Sequence, residues 1–308
     1  MIQALYSIFV FIVLGYFAKQ VRLFGNRQGN TLIGFLLNFA LPAIIFYGVY
    51  HAELSFSLVG IFLLALFSSI LVSTIAFILI YKVFNRPIEL ALTIGFLCIL
   101  HNTLFLGVPI INGSLGEEAS HKAILFDQFC TSIPLAVIAP LLISFAKKTS
   151  FKFSSISFQL IKNPLFVAMV AGFALRLVPL EIPDYLFAPI KALGACATPV
   201  ALFAIGVQLS FSHVKKEWKY SLLALFFAML VVPATYFSLM GSVGPIFDLK
   251  MDKDFQMALI ETSMPPLISS AAIIAKAGLN QKVAVSAIVI GICLSGVIAP
   301  MWLFVSNL

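Results

Sequence analysis

The chain has 308 residues, of which 61% are hydrophobic and only 10% charged, and its mean hydropathy is +1.09. Soluble domains carry about a quarter charged residues, so the composition excludes an ordinary soluble protein and points to an integral membrane protein. The net charge of +7 sits in short links between apolar runs, where it orients a membrane protein rather than recruiting nucleic acid.

Apolar runs recur at the roughly 17 to 25 residues that a helix needs to cross a bilayer, and the short alternating segments of a β-barrel do not appear. Ten transmembrane helices are predicted, at 2–19, 31–50, 57–81, 90–113, 121–146, 164–180, 187–209, 218–240, 254–276 and 281–305. The first reads as a span and not as a signal peptide, because no basic residue precedes it and no small-residue cleavage site follows before Lys19. Counted with their flanking turns, the links after odd-numbered spans hold 14 of the 19 Lys and Arg residues. The positive-inside rule therefore places those links in the cytoplasm and both termini outside. Cys98, Cys130, Cys196 and Cys293 stand singly in apolar runs and read as small buried hydrophobes, with neither a metal nor a disulfide expected.

An offset of 157 residues superposes Gly15 on Gly172, Lys19 on Arg176, Pro42 on Pro199, Phe46 on Phe203 and Pro109 on Pro266. Five spans on each side of residue 150 then make two repeats, 1–150 and 151–308. An odd number of spans sends the second repeat into the membrane from the opposite side, as in many secondary transporters. Spans four and nine each carry proline at mid-membrane, and proline removes an N–H and crowds the carbonyl one turn back. Freed backbone groups cannot face lipid, so two broken helices are expected, lining a wet cavity or buried in protein.

The second half of each broken helix is expected to begin near Ile110 and Leu267, with Pro109, Pro265 and Pro266 at the breaks. A helix N-terminus attracts an anion, and Asn112, Ser269 and Ser270 are placed to supplement it. Asn102, two turns before Pro109, has an amide able to donate to a carboxylate, or to bridge two helices; His101 beside it is expected to bond a neighbour. Two carboxylates fall inside spans, Glu261 in span nine and Asp127 in span five. A mid-span acid costs roughly 2.5 to 3.5 kcal/mol on insertion scales and commonly marks an ion or proton path. Both are candidates to carry a coupling H+ or Na+, against a structural role hydrogen-bonded to a neighbour.

The segment Asn-Thr-Leu-Phe-Leu-Gly-Val-Pro-Ile-Ile at 102–111 resembles the span-four motif of the auxin efflux carrier family, which includes plant auxin exporters and bacterial malonate and malate carriers. Phe39-Ala-Leu-Pro42, the run from Pro199 to Ser210, and Pro266 with Ala275-Lys276 resemble that family's second, seventh and ninth spans. The resemblance implies a scaffold from spans 1, 2, 6 and 7, a transport domain from spans 3–5 and 8–10, and an elevator-like motion carrying organic anions. It also implies substrate contact at Asn102, location in a bacterial inner membrane, and often a homodimer through the scaffold. Two departures, the missing long cytoplasmic loop and His101 where plant members carry proline, weigh against auxin itself as cargo.

The expected function is a secondary transporter of small mono- or dicarboxylate anions, needing no cofactor. The alternative within transport is a sodium-coupled carrier of the bile-acid type. A membrane enzyme needs convergent catalytic groups, but the four histidines are scattered and no HExxH, GxSxG or P-loop pattern is present. A membrane sensor would need an output domain, and the links are too short to hold one.

Overall fold

The computed structural model describes residues 2–148, 160–179, 182–211 and 214–307. Six of its helices are long and apolar enough to cross a membrane: α2 (Asn26–His51), α3 (Phe56–Val83), α6 (Glu117–Lys147), α8 (Asp184–Gln208), α9 (Val214–Ser242) and α12 (Gln281–Val305). The shorter helices are α1 (Ile2–Gln20), α4 (Ile88–Ile99), α5 (Thr103–Leu115), α7 (Pro164–Arg176), α10 (Lys253–Thr262) and α11 (Ser270–Lys276). Predicted span four corresponds to α4 with α5, and span nine to α10 with α11; the last helix has the predicted limits. Among the described residues the only β pairing is one isolated bridge.

Pro140, Pro189 and Pro300 sit inside helices that simply continue, and at four other prolines a local widening of the helix accompanies the ring. Wider π-helical turns occupy 36–40, 103–107, 127–132 and 226–231, and each runs directly into α-helix with proline in its first two positions: Pro42, Pro109, Pro134 and Pro233. One extra residue per turn gives the carbonyl facing each proline room to shift, so the helix continues.

The chain divides into two compact units. The first comprises Met1–Glu53, Leu104–Gln128 and Phe153–Leu209. Its helices approach at glycine, as expected where lipid removes the hydrophobic drive and close backbone packing must replace it. A Cβ on Gly15 would stand 2.0 Å from the Phe203 carbonyl oxygen, and one on Gly172 would stand 2.9 Å from the Phe46 carbonyl oxygen. These are one contact written twice, since Gly172 and Phe203 lie 157 residues after Gly15 and Phe46. A second contact repeats likewise. Lys19 Nζ donates to the Leu209 carbonyl at 2.8 Å, and Arg176 Nη1 donates to the Ala52 carbonyl. In each case a cation caps the C-terminal end of a helix, where unpaired carbonyls and the macrodipole favour it.

The second unit comprises Leu54–Thr103, Phe129–Lys152 and Ser210–Leu308. Its core runs through Val72, Ile94, Leu97, Leu225, Met229 and Ala287 on α3, α4, α9 and α12. Of the cysteines, Cys98 and Cys130 are buried but Cys196 and Cys293 are exposed, which corrects the expectation that all four are interior. An apolar thiol serves equally on a helix face turned to lipid.

Candidate functional site

Both predicted breaks exist, but the one in span four is not where its proline predicts. Helix α4 ends at Ile99 and Leu100 is extended, at φ −116° and ψ 116°. The chain is helical again from Thr103, so Pro109 and Ile110 lie inside continuous helix, α5. The π turn at 103–107 absorbs Pro109, and the break falls at Leu100–Asn102 instead. Span nine breaks where expected, between Thr262 and Ser270, around Pro265-Pro266.

The two breaks pair with each other. His101 and Pro266 form an antiparallel bridge; the Asn102 N–H donates to the Pro265 carbonyl at 2.8 Å and the Leu267 N–H to the Leu100 carbonyl at 2.9 Å. Pro266 lies 165 residues after His101, so the partner of the span-four break is shifted by eight residues from the 157-residue register. Local side chains add bonds to carbonyls in the last turn of α10, which also accept the Ser263 N–H. Thr262 Oγ1 donates to the Leu259 carbonyl at 2.9 Å and Ser263 Oγ to the Ile260 carbonyl at 2.7 Å. The imidazole of His101 meets the Met264 carbonyl, with Nδ1 at 3.0 Å, and approaches Ser69 Oγ with Nε2 at 3.4 Å.

This accounting corrects one expectation. The first N–H groups of α11 are not held out to a guest: those of Ser270 to Ile273 bond to carbonyls of Leu267, Ile268 and Ser269, and that of Leu267 is used in the pairing. What remains spare is a side chain. Asn102 is fully buried, and neither its amide nitrogen nor its amide oxygen has a hydrogen-bond partner among the described residues. Leaving such groups unmet costs about 1 to 3 kcal/mol, so the position is built to hydrogen-bond something. The hydroxyl of Ser270 is likewise buried and without a partner.

The other predicted residues disperse. Ser269 is exposed at the start of α11. Asn112 is exposed in α5, ten residues beyond the break, and does not supplement a helix start as expected. Pro109, Ile110, Asn112 and Asp127 belong to the first unit, whereas Asn102, Glu261, Pro265, Pro266, Ser269 and Ser270 belong to the second. Asp127 is buried, and its Oδ2 accepts from Gln128 Nε2 at 2.9 Å. Glu261 is fully buried in the last turn of α10, directly before the break, and the Thr262 hydroxyl donates to the Leu259 carbonyl. Among the described residues no three His, Cys, Asp or Glu side chains gather as a metal site would require. The residue that sequence reasoning left out of the site is Leu100; its signal was the polar run His101-Asn102-Thr103 in mid-span, all three of them buried.

A family model described as membrane transport protein matches residues 1–150 and 148–303. An uncharacterized transporter of Methanothermobacter thermautotrophicus is 24% identical over 97% of this chain and 96% of its own length. The uncharacterized transporter MJ1031 of Methanocaldococcus jannaschii is 25% identical over 96% of this chain and 95% of its own. The uncharacterized transporter YfdV of Escherichia coli K12 is 24% identical over 99% and 97%.

Proposed function

The chain belongs to the membrane transport protein family, that of the auxin efflux carriers, and on that premise we propose that it is a secondary transporter of small organic acid anions. The substrate carboxylate binds beside the paired breaks of spans four and nine and accepts a hydrogen bond from the Asn102 amide. The observation that carries this reading is the Asn102 side chain, fully buried with both amide atoms unmet among the described residues, beside a break where the N–H groups of Asn102, Leu267 and Ser270 to Ile273 already bond to protein carbonyls. A neutral donor suits reversible binding, because a buried lysine or arginine would itself need a counter-charge.

The layout proposed around this site is ten spans in two inverted five-helix repeats. Spans 1, 2, 6 and 7 form a scaffold, and spans 3–5 and 8–10 a transport domain that moves in an elevator-like way. Support for the repeat comes from the Gly15–Phe203 and Lys19–Leu209 contacts, which recur 157 residues on as Gly172–Phe46 and Arg176–Ala52. The positive-inside count supports a layout with both termini outside, and the family resemblance supports a bacterial inner membrane and a homodimer through the scaffold.

Glu261 and Asp127, both buried, favour a coupled carrier, in which a proton or sodium ion moves with the anion. The sodium-coupled variant predicts that replacing sodium with choline abolishes uptake. The principal test is a thermal-shift panel of mono- and dicarboxylates on the purified protein. At least one should stabilise the wild type, and stabilise Asn102→Ala only at about 10- to 100-fold higher concentration; an unshifted dose response removes the site.

A further inference from the structure

We infer that His101 is a positioning residue for the transport site: its imidazole ties the two broken spans together from behind and so fixes the direction of the Asn102 amide. The inference rests on the reading of Asn102 given above.

The geometry leaves the imidazole a defined task. Met264 is fully buried and is followed by Pro265 and Pro266, neither of which has an N–H to offer. Its carbonyl is met by His101 Nδ1 at 3.0 Å. A carbonyl only accepts, so Nδ1 carries the hydrogen, and in a neutral ring Nε2 is then an acceptor. Nε2 faces Ser69 Oγ of α3 at 3.4 Å, and that hydroxyl can turn its hydrogen toward the ring or toward the Ala65 carbonyl at 3.2 Å. One side chain thus joins three segments: α3, the break after α4 and the break after α10.

The direction of the tie separates it from substrate contact. His101 sits in an extended bridge with Pro266, and successive side chains on extended backbone point to opposite faces. On that alternation the His101 ring is expected on the face opposite the Asn102 amide. It acts through two flanking backbone bonds, Asn102 N–H to Pro265 and Leu267 N–H to Leu100. Losing the ring leaves the Met264 carbonyl buried and unmet and frees the pairing to shift, which misaims the amide.

The side chain that can stand in is specific. Asparagine places its amide nitrogen one bond beyond Cγ, as histidine places Nδ1, so His101→Asn keeps the bond to Met264. Glutamine places its nitrogen one atom further out, and leucine has none.

The test uses the full chain in nanodiscs. Hydrogen–deuterium exchange is measured without ligand on peptides covering 98–106 and 262–272. His101→Leu and His101→Gln should exchange about tenfold faster in these two peptides alone, the scale of one lost hydrogen bond, while His101→Asn stays near wild type. Malonate and benzoate serve as binding probes. His101→Leu should weaken whichever binds by about tenfold, and His101→Leu combined with Asn102→Ala should bind no worse than Asn102→Ala alone, because the two act on one amide. Unchanged exchange in His101→Leu, or equal acceleration in His101→Asn, overturns the tie. Additive losses overturn its action through Asn102. If neither probe binds the wild type, the reading of the site fails with these anions, and the exchange comparison still decides the tie by itself.

Discussion

Pro109 and Pro266 hold the same rank in the two halves of the sequence, yet only Pro266 lies in a broken helix. Pro109 follows a π turn at 103–107 that gives its ring room, and α5 continues through it to Leu115. Pro266 follows a second proline with no π turn before it, so two adjacent N–H groups are missing and the chain leaves the helix from Ser263 to Ser269. The broken segment then finds its bonds on Leu100–Asn102, and that pairing opens span four. A proline inside a membrane span therefore does not by itself signal a break, and a helix without proline at the break can be opened by the partner it pairs with.

Substitutions can break this contrast from either side. The largest effect is expected of Pro265→Ala combined with Pro266→Ala. Restoring both N–H groups lets α10 and α11 join, removes the reason for the pairing, and should abolish carboxylate-induced stabilisation and transport in proteoliposomes. Next is Asn102→Ala, which should weaken the stabilising carboxylate by about 10- to 100-fold, the value of a buried hydrogen bond to a charged group. Its unliganded melting temperature should stay level or rise, since a buried amide without partners has been removed. Glu261→Gln addresses the carboxylate directly before the break; if Glu261 carries the coupling proton, the pH dependence of uptake should flatten, and an unchanged profile removes it from that role. The smallest effects belong to the proline that does not break its helix. Pro109→Ala and Asn112→Ala should each change the melting midpoint by the equivalent of less than about 1 kcal/mol and leave carboxylate binding intact.

Much of this was legible in the sequence because apolar period and charge placement report burial and membrane crossing directly. The long helices follow the predicted spans closely, and the Gly15–Gly172 and Lys19–Arg176 matches become repeated contacts. Proline predicts the span-four break at the wrong place, because its cause is pairing with a segment 165 residues away, marked locally only by the polar run His101-Asn102-Thr103. Asn102 could be singled out as a lone mid-span amide. Its amide has no side-chain partner among the described residues, the observation on which the proposed binding role rests, and this becomes visible only with the pairing that uses its backbone N–H. Asn112 looked placed at a helix start only while the break was assumed to lie at Pro109.

The most direct measurement is a density map of the protein in a nanodisc with the carboxylate that stabilises it most. The account predicts carboxylate density within hydrogen-bond distance of Asn102 Nδ2, with the Asn102 to Pro265 and Leu267 to Leu100 bonds intact behind it. Carboxylate density elsewhere in the chain, or an Asn102 amide bonded to another side chain while the ligand is bound, would contradict it.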